Sequence, residues 1–257
     1  MTKAELKYYQ SLNKKKTREE EGKFLIEGEH LIEEAMSSKF YSESIERIFI
    51  RNNFDNKTLL DQIQTSRIKQ DVLDTKAFEK LSETKTPQGI IGVVNIPDID
   101  ENISGNLVIA LDNLNDPGNL GTILRTAYWF DVSYVVLSNN SVDIHNPKVL
   151  RGSQGAVFNI PILQNIDLGE YLDKKHIEGW KIILTSLDSP NYLEDLSFSN
   201  SDKIIFVFGN EAAGISENIL GDQRFKKVKI RSYSDCESLN VGISAGIVLN
   251  EYRSRVK

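Results

Sequence analysis

The 257-residue chain reads as an α/β protein built in two parts, and three observations predict it. Apolar runs of strand length alternate with stretches whose apolar residues recur at helical spacing. In the second part those runs are nearly uninterrupted, as expected of parallel strands covered on both faces. Between the parts lies PDIDENISG (Pro97–Gly105), polar, turn-forming and without periodicity, which reads as a linker. The predicted division is therefore 1–97, a small α/β domain; 98–105, a linker; and 106–257, a parallel-sheet domain.

The elements follow in order. Residues 3–16 predict one helix, Phe24–Ile26 a strand ending at Gly28, and Glu29–Ser37 a helix with Leu31, Ile32, Ala35 and Met36 on one side. A strand over Ile45–Ile50, helices over Asn56–Thr65 and Thr75–Ser82, and a strand over Ile90–Ile96 complete the first part. The second opens on LVIAL (Leu107–Leu111), a buried parallel strand, then a loop to Gly118 and a helix over Asn119–Phe130. A strand at Tyr134–Leu137, helices at Asn146–Gln154 and Asp167–Ile177, and strands at Lys181–Leu187, Lys203–Phe208 and Val228–Ile230 follow. A long helix over Ser238–Arg255 closes the chain.

Composition removes several classes of function. At 40% hydrophobic and 26% charged residues the chain is ordinary for a globular protein. Its richest apolar runs, Ile90–Ile96 and Ile204–Phe208, fall far short of the roughly 18 residues of a membrane span. The start, MTKAELKYYQ, has no secretory apolar region, so the expectation is a soluble cytoplasmic protein with no membrane partner. One cysteine, Cys236, excludes an internal disulfide and multi-cysteine metal sites, and His30, His145 and His176 are too dispersed to suggest a metal cluster. Net charge is −6, with 16 basic and 19 acidic residues up to Gly105 and 15 and 18 after it. A nucleic-acid binder of this composition needs a local basic face. The run Lys14-Lys15-Lys16-Thr17-Arg18 precedes Glu19-Glu20-Glu21 and fits a solvated helix end at least as well as a phosphate site.

Ligands of open parallel sheets bind beyond the carboxyl ends of the strands, and three segments stand there. In DNLNDPGNLGTILR (Asp112–Arg125) Pro117-Gly118 predicts a turn and Asn119 the N-cap of the next helix. Helical side chains lean toward the N-terminus, so Arg125 would point back over Gly121 to the loop mouth; pairing with Asp131 is the competing reading. In FVFGNEAAGIS (Phe206–Ser216) a buried strand enters glycines that allow close backbone approach to a ligand, or simply a tight turn. The segment is neither a P-loop nor a dinucleotide fingerprint. In VKIRSYSDCESLNVGISAG (Val228–Gly246) Ser238 predicts a helix cap, with Asn240 in the first turn beside a ligand. Gly242 and Gly246 share a helix face where another backbone packs closely, either inside the chain or across a subunit interface.

NLGTILR, GNEAAG and SLNVGISAG, in this order, together with NPKVLRGSQGAVFNIP (Asn146–Pro161), resemble the motifs of the SpoU (TrmH-like) branch of SPOUT RNA methyltransferases. FLIEGEHLIEEA (Phe24–Ala35) is similar to the small ribosomal-protein-like substrate-binding domain carried by many SpoU enzymes. The resemblance implies a C-terminal sheet threaded into a deep trefoil knot, a rare exception to un-knotted chains. It also implies S-adenosylmethionine as cofactor, a homodimer, and methylation of a ribose 2′-hydroxyl in RNA, ribosomal RNA before transfer RNA. The chain departs from the family in one place: the third motif usually begins Ile-Pro-Met, and here it reads Ile230-Arg231-Ser232.

Carried onto this sequence, the resemblance makes Arg125, Asn119, Glu211, Ser238 and Asn240 the catalytic candidates. Arg125 would act on the 2′-hydroxyl, as base or as stabiliser of the alkoxide, with Asn119 orienting Arg125 or the acceptor and Glu211 holding the loops by accepting backbone or Arg125 hydrogen bonds. Gly209, Asn210, Gly214, Ile230, Ser238, Leu239 and Asn240 would form the cofactor pocket, and Lys148, Arg151 and Arg125 would meet RNA. No metal is expected. The rival expectations are a transfer RNA methyltransferase, an inactive knotted RNA-binding or assembly protein, and a nucleotide-dependent enzyme of ordinary doubly wound topology.

Overall fold

The computed structural model describes residues 1–100 and 103–256, so Glu101 and Asn102 of the expected linker lie outside the described residues. The chain forms two compact units, Met1–Asp98 with Asp143–Asn159, and Ile99–Val142 with Ile160–Lys257.

The first unit begins with α1 (Lys3–Ser11), opened by a capping box in which Thr2 and Glu5 satisfy each other's backbone amides. The single helix expected over 3–16 is in fact two, with α2 at Lys15–Glu21. The break falls at Leu12–Asn13 because Arg18 Nη1 donates to both of their carbonyls, at 3.0 and 2.8 Å, in place of a further helical turn. Gly22, at φ +61°, ends α2 in the left-handed region. Then come β1 (Lys23–Glu27), α3 (Glu29–Ser37), β2 (Ile45–Arg51), α4 (Lys57–Thr65), β3 (Lys69–Leu73), α5 (Thr75–Leu81) and β4 (Ile90–Asn95). The sheet runs β1-β4-β2-β3, antiparallel except where β3 joins β2 in parallel. The sequence reading missed β3, an edge strand whose KQDVL is largely exposed and carries no clean alternation. Phe49, Ile91, Val93, Phe78, Leu81, Tyr9 and Leu12 form a core against one face.

The second unit begins with β5 (Leu107–Leu111), α6 (Pro117–Trp129) and β6 (Tyr134–Ser138). The chain next contributes α7 (Pro147–Ser153) to the first unit, where Asp143 pairs with Arg18, Ser38 Oγ donates to the Phe158 carbonyl, and Asn159 Nδ2 donates to Glu34 at 2.7 Å. It returns as β7 (Ile162–Ile166), α8 (Leu168–Ile177), β8 (Lys181–Thr185), β9 (Ile204–Phe208), the short α9 (Glu217–Leu220), β10 (Lys226–Val228) and α10 (Val241–Arg255). β7 was not expected, and β10 begins and ends two residues before the predicted strand. All six strands are parallel, in the order β10-β8-β9-β5-β6-β7. LVIAL and IIFVF are buried along their whole length, which explains their unbroken apolar sequence. Val108, Ala110, Ile205 and Val207 meet the layer containing Leu168 and Leu172 of α8. Phe206, on the alternate face, meets Tyr252 of α10 at 5.8 Å between ring centres.

From β5 the chain moves outward through β6 and β7, then returns to build β8, β9 and β10 on β5's other side. The order thus reverses between β5 and β9. That junction is where an open parallel sheet leaves a crevice at its carboxyl edge.

Candidate active site

Two loops leave adjacent strand ends at this reversal, Asp112–Asp116 after β5 and Gly209–Ser216 after β9. Asp112 is buried and holds them together: its Oδ2 accepts from the Ser216 amide at 2.7 Å and from the Ser216 hydroxyl, and its Oδ1 accepts from Asn113 Nδ2 at 2.8 Å. Asn113 sits at φ +52°, with its amide donating to Ser138 Oγ at 2.7 Å. Asn210 Nδ2 then donates to the Asn113 carbonyl at 2.8 Å. Sequence reading missed Asp112 and Asn113 as site-building residues, because their partners lie some 100 positions away and leave no local pattern.

The second loop is a tight turn in its own right. Asn210 and Gly214 exchange backbone hydrogen bonds of 2.9 Å, and Asn210 Oδ1 accepts from the amides of Ala212 and Ala213. A side chain at Gly209 would run into the backbone of Gly214 and Ile215, at 2.1–2.4 Å. The glycine is therefore required by the turn itself. Gly214, at φ +70°, faces open space.

The turn delivers Glu211 to the first motif. Glu211 Oε1 accepts from Asn119 Nδ2 at 2.9 Å and from the Asp116 amide at 3.4 Å. Asn119 Oδ1 in turn accepts from Asn240 Nδ2 at 2.8 Å, and Asn240 Oδ1 accepts from the amides of Gly242 and Ile243. A carboxylate can only accept, so Glu211 sets the amide orientation of Asn119, which sets that of Asn240. The relay joins all three motifs, which are distant in sequence.

Two expected caps are corrected by this geometry. Asp116, not Asn119, caps α6: its Oδ1 accepts from the Asn119 amide at 2.7 Å, and Pro117 takes the first helical position. Asn240, not Ser238, caps α10. Each asparagine is thereby placed at a helix start with its side chain in the relay. Ser238 and Leu239 lie in the exposed stretch 231–240, Leu239 at 48% exposure. Among the described residues, the main chain of Ile230–Leu239 forms no backbone hydrogen bond with another segment. Gly242 meets Thr122 of α6, where a Cβ would approach its methyl to 3.0 Å. Its absent side chain therefore serves close packing within the chain.

Arg125, two turns into α6, is exposed. No carboxylate lies in ion-pair range of it among the described residues, and Asp131 is paired instead with Arg253. Lys148 is exposed and Arg151 half-buried on α7, and both belong to the first unit, whereas Arg125 belongs to the second.

Arg231 is also accounted for. Its Nε donates to Glu194 and its guanidinium carbon lies 3.8 Å from the centre of the Tyr192 ring. The Arg231 hydrogen bond holds the Glu194 carboxyl below its usual range.

Residues 106–250 match the SpoU rRNA methylase family, and residues 3–92 match the MRM3-like substrate binding domain. The chain is 33% identical over 248 residues to the 23S rRNA (guanosine(2553)-2'-O)-methyltransferase RlmP of Bacillus subtilis, covering 96% of this chain and 95% of that one. It is 36% identical over 161 residues to human mitochondrial rRNA methyltransferase 3, covering 58% of this chain and 37% of the relative. A Porphyromonas gingivalis structure assigned to the TrmH family of RNA methyltransferases superposes with a TM-score of 0.87 at 28% identity over 99% of both chains. The fold is shared with the methyltransferase AviRb of Streptomyces viridochromogenes, solved with AdoMet, at a TM-score of 0.86 and 22% identity over 99% of this chain and 98% of that one. With the family matched across more than half its length, and a relative of this similarity along nearly all of it, the chain belongs to the SpoU rRNA methylase family.

Proposed function

We propose that the protein transfers the methyl group of S-adenosylmethionine to a ribose 2′-hydroxyl of ribosomal RNA, as its Bacillus subtilis relative, a 23S rRNA 2'-O-methyltransferase, suggests. The observation that carries the reading is the Glu211–Asn119–Asn240 relay, which draws the three family motifs to one end of α6 while Arg125 on the same helix stays unpaired.

The residues present fit the cofactor. Among the described residues the main chain of Ile230–Leu239 makes no backbone hydrogen bond to another segment, and the groups not taken by its own serine and cysteine side chains offer donors and acceptors to a heterocycle such as adenine. Leu239 offers an apolar wall, and the turn at Gly209–Gly214 ends on an open glycine. Ile230, Leu239, Gly209, Asn210 and Gly214 would hold the cofactor, with Ser238 and Asn240 bordering it. When bound, S-adenosylmethionine supplies a methyl group on a sulfonium, open to in-line attack. What the chain itself adds is positioning, worth several kcal/mol for well-oriented reactants.

Arg125 supplies the charge. The exposed guanidinium of Arg125 stabilises the oxyanion developing on the 2′-oxygen. The hydroxyl proton leaves to water or to a neighbouring RNA phosphate. Asn119, fixed through Glu211 and Asn240, keeps the start of α6 in register with the cofactor loop.

The domain roles follow the same reading: 1–97 binds the RNA substrate, 98–105 links, and 106–257 carries transfer, with its C-terminal part knotted as in the wider SPOUT fold. Lys148 and Arg151 contribute phosphate contacts, which are salt-sensitive. A homodimer is supported by the exposed apolar residues Tyr128 and Trp129 on α6 and Ile243 and Ile247 on α10, Trp129 at 83% exposure. Among the described residues no helix is long and apolar enough to cross a membrane, in keeping with work on ribosomal RNA in the cytoplasm.

Calorimetry with S-adenosylmethionine and S-adenosylhomocysteine tests the reading. Micromolar binding of either supports it; no binding of either, with or without RNA, contradicts it and favours an inactive RNA-binding protein of the same fold.

A further inference from the structure

The loop that would border the cofactor is held at both ends by side chains. Its far end is Asn240, tied to Asn119. Its near end follows β10, where Lys229 pairs in parallel with Tyr192: the Lys229 amide donates to the Asn191 carbonyl at 3.0 Å, and the Leu193 amide to the Lys229 carbonyl at 2.9 Å. Lys229 Nζ also stands 5.1 Å from the centre of the Tyr192 ring. The strap 192–196 is secured from behind by Arg255, at the end of α10, which donates to the carbonyls of Glu194 and Leu196 at 2.7 and 2.9 Å. Arg231 closes this assembly, stacked on Tyr192 and paired with Glu194. Beyond it the stretch 231–240 is exposed throughout, with Tyr233 at 92%.

We propose that Arg231 is a positioning residue, which by stacking on Tyr192 and pairing with Glu194 fixes the near end of the 230–239 loop and so presets the main chain of Ile230 for the cofactor. The inference rests on the S-adenosylmethionine reading above for its ligand, and on the strap geometry alone for the clamp. A loop ordered before binding spares the ordering cost on binding, so the clamp acts on cofactor affinity and not on the chemical step. Its planar guanidinium is what allows flat stacking and pairing together; an ammonium at the same place keeps the charge and a donor but not the stacked plane.

The test uses the full chain with Arg231→Ala, Arg231→Lys and Glu194→Gln. The expected result for Arg231→Ala is a rise of about tenfold in Kd and KM for S-adenosylmethionine, with kcat within about twofold of wild type. Arg231→Lys and Glu194→Gln should fall between the two. In the ligand-free protein the amides of Leu193 and Lys229 should exchange faster in Arg231→Ala than in wild type, with an unchanged melting temperature showing that the fold is intact. Unchanged Kd and unchanged exchange would overturn the clamp, as would a loss confined to kcat. Wild-type protein that binds no S-adenosylmethionine contradicts the methyltransferase reading, while the exchange measurement, which needs no ligand, still decides the clamp.

Discussion

Two arginines, one in each unit, show how differently the chain uses the same side chain. Arg18 is 3% exposed and fully engaged: Nε and Nη2 donate to Asp143 Oδ2 at 2.9 and 2.6 Å, and Nη1 to the Leu12 and Asn13 carbonyls. Around it, His145 stacks on Phe24 at 4.2 Å between ring centres, and Tyr41 Oη comes within 3.5 Å of its Nε2. Arg125 stands exposed, with no acid in ion-pair range among the described residues. A buried guanidinium must have its donors satisfied, since desolvation is otherwise unaffordable. An exposed one held in place by its helix and left unpaired keeps its charge for something the chain does not itself contain. The first arrangement specifies structure; the second fits the proposed role of Arg125 toward RNA.

The comparison breaks most visibly at Arg125. Arg125→Ala should lower single-turnover methyl transfer by about 10³-fold or more, as loss of a transition-state charge partner does. Cofactor Kd and melting temperature should stay near wild type. A comparable loss of stability would mean that Arg125 is structural after all.

Arg18→Ala has the opposite signature. It leaves Asp143 largely buried without its guanidinium partner, holding only the His145 amide, and should cost about 3–5 kcal/mol in denaturant unfolding. Any fall in methyl transfer should follow the fraction unfolded. A cost below about 1 kcal/mol, as for a surface pair, would remove the distinction drawn here.

pH sharpens the same contrast. Burial, aided by the Arg18 charge and opposed by Asp143, pushes His145 down to about 4. The unfolded chain takes up this proton near pH 6.5 and the folded chain only near 4. The histidine's contribution is thus complete above pH 6.5 and is lost as pH falls toward 4, up to about 3 kcal/mol in all. Unfolding free energies measured between pH 7 and 4 should show this slope, and His145→Phe should flatten it.

The smallest effects belong to the relay. Asn119→Ala and Asn240→Ala should each slow transfer about tenfold, and together less than a hundredfold, because they break one connected unit. Asn119→Asp should be worse than Asn119→Ala, since it sets a second carboxylate against Glu211. Fully additive losses in the double variant would show that the two asparagines act separately.

How much of this the sequence revealed depended on how local the cause was. LVIAL and IIFVF were legible because burial on both faces makes them apolar throughout. β3 was not, because an exposed edge strand needs no such pattern. The helix caps went astray for a related reason. Asp116-Pro117 is itself a cap followed by a first-turn proline, a signal available in the sequence and overshadowed by Asn119. At the last helix, Ser238 and Asn240 are both good caps, and only the long-range bond to Asn119 decides between them. Glu211 was expected to accept backbone or Arg125 hydrogen bonds; its carboxylate accepts from the Asp116 amide and from Asn119 Nδ2, the second a partner that no local pattern marks. The membership of 143–159 in the first unit rests on bonds such as Arg18–Asp143 and Glu34–Asn159, each 125 residues apart, and no local reading reaches that far.

Methylation of a ribose in ribosomal RNA by this chain, and the role proposed for Arg125 in the step, are open to one experiment. The most direct measurement incubates ribosomal RNA from cells lacking the protein with S-adenosylmethionine and either wild-type or Arg125→Ala protein, then identifies methylated nucleosides by mass spectrometry of complete digests. One new 2′-O-methyl nucleoside is expected with wild type and none above background with Arg125→Ala. Equal methylation by both proteins, or a methyl group found on a base, would contradict it.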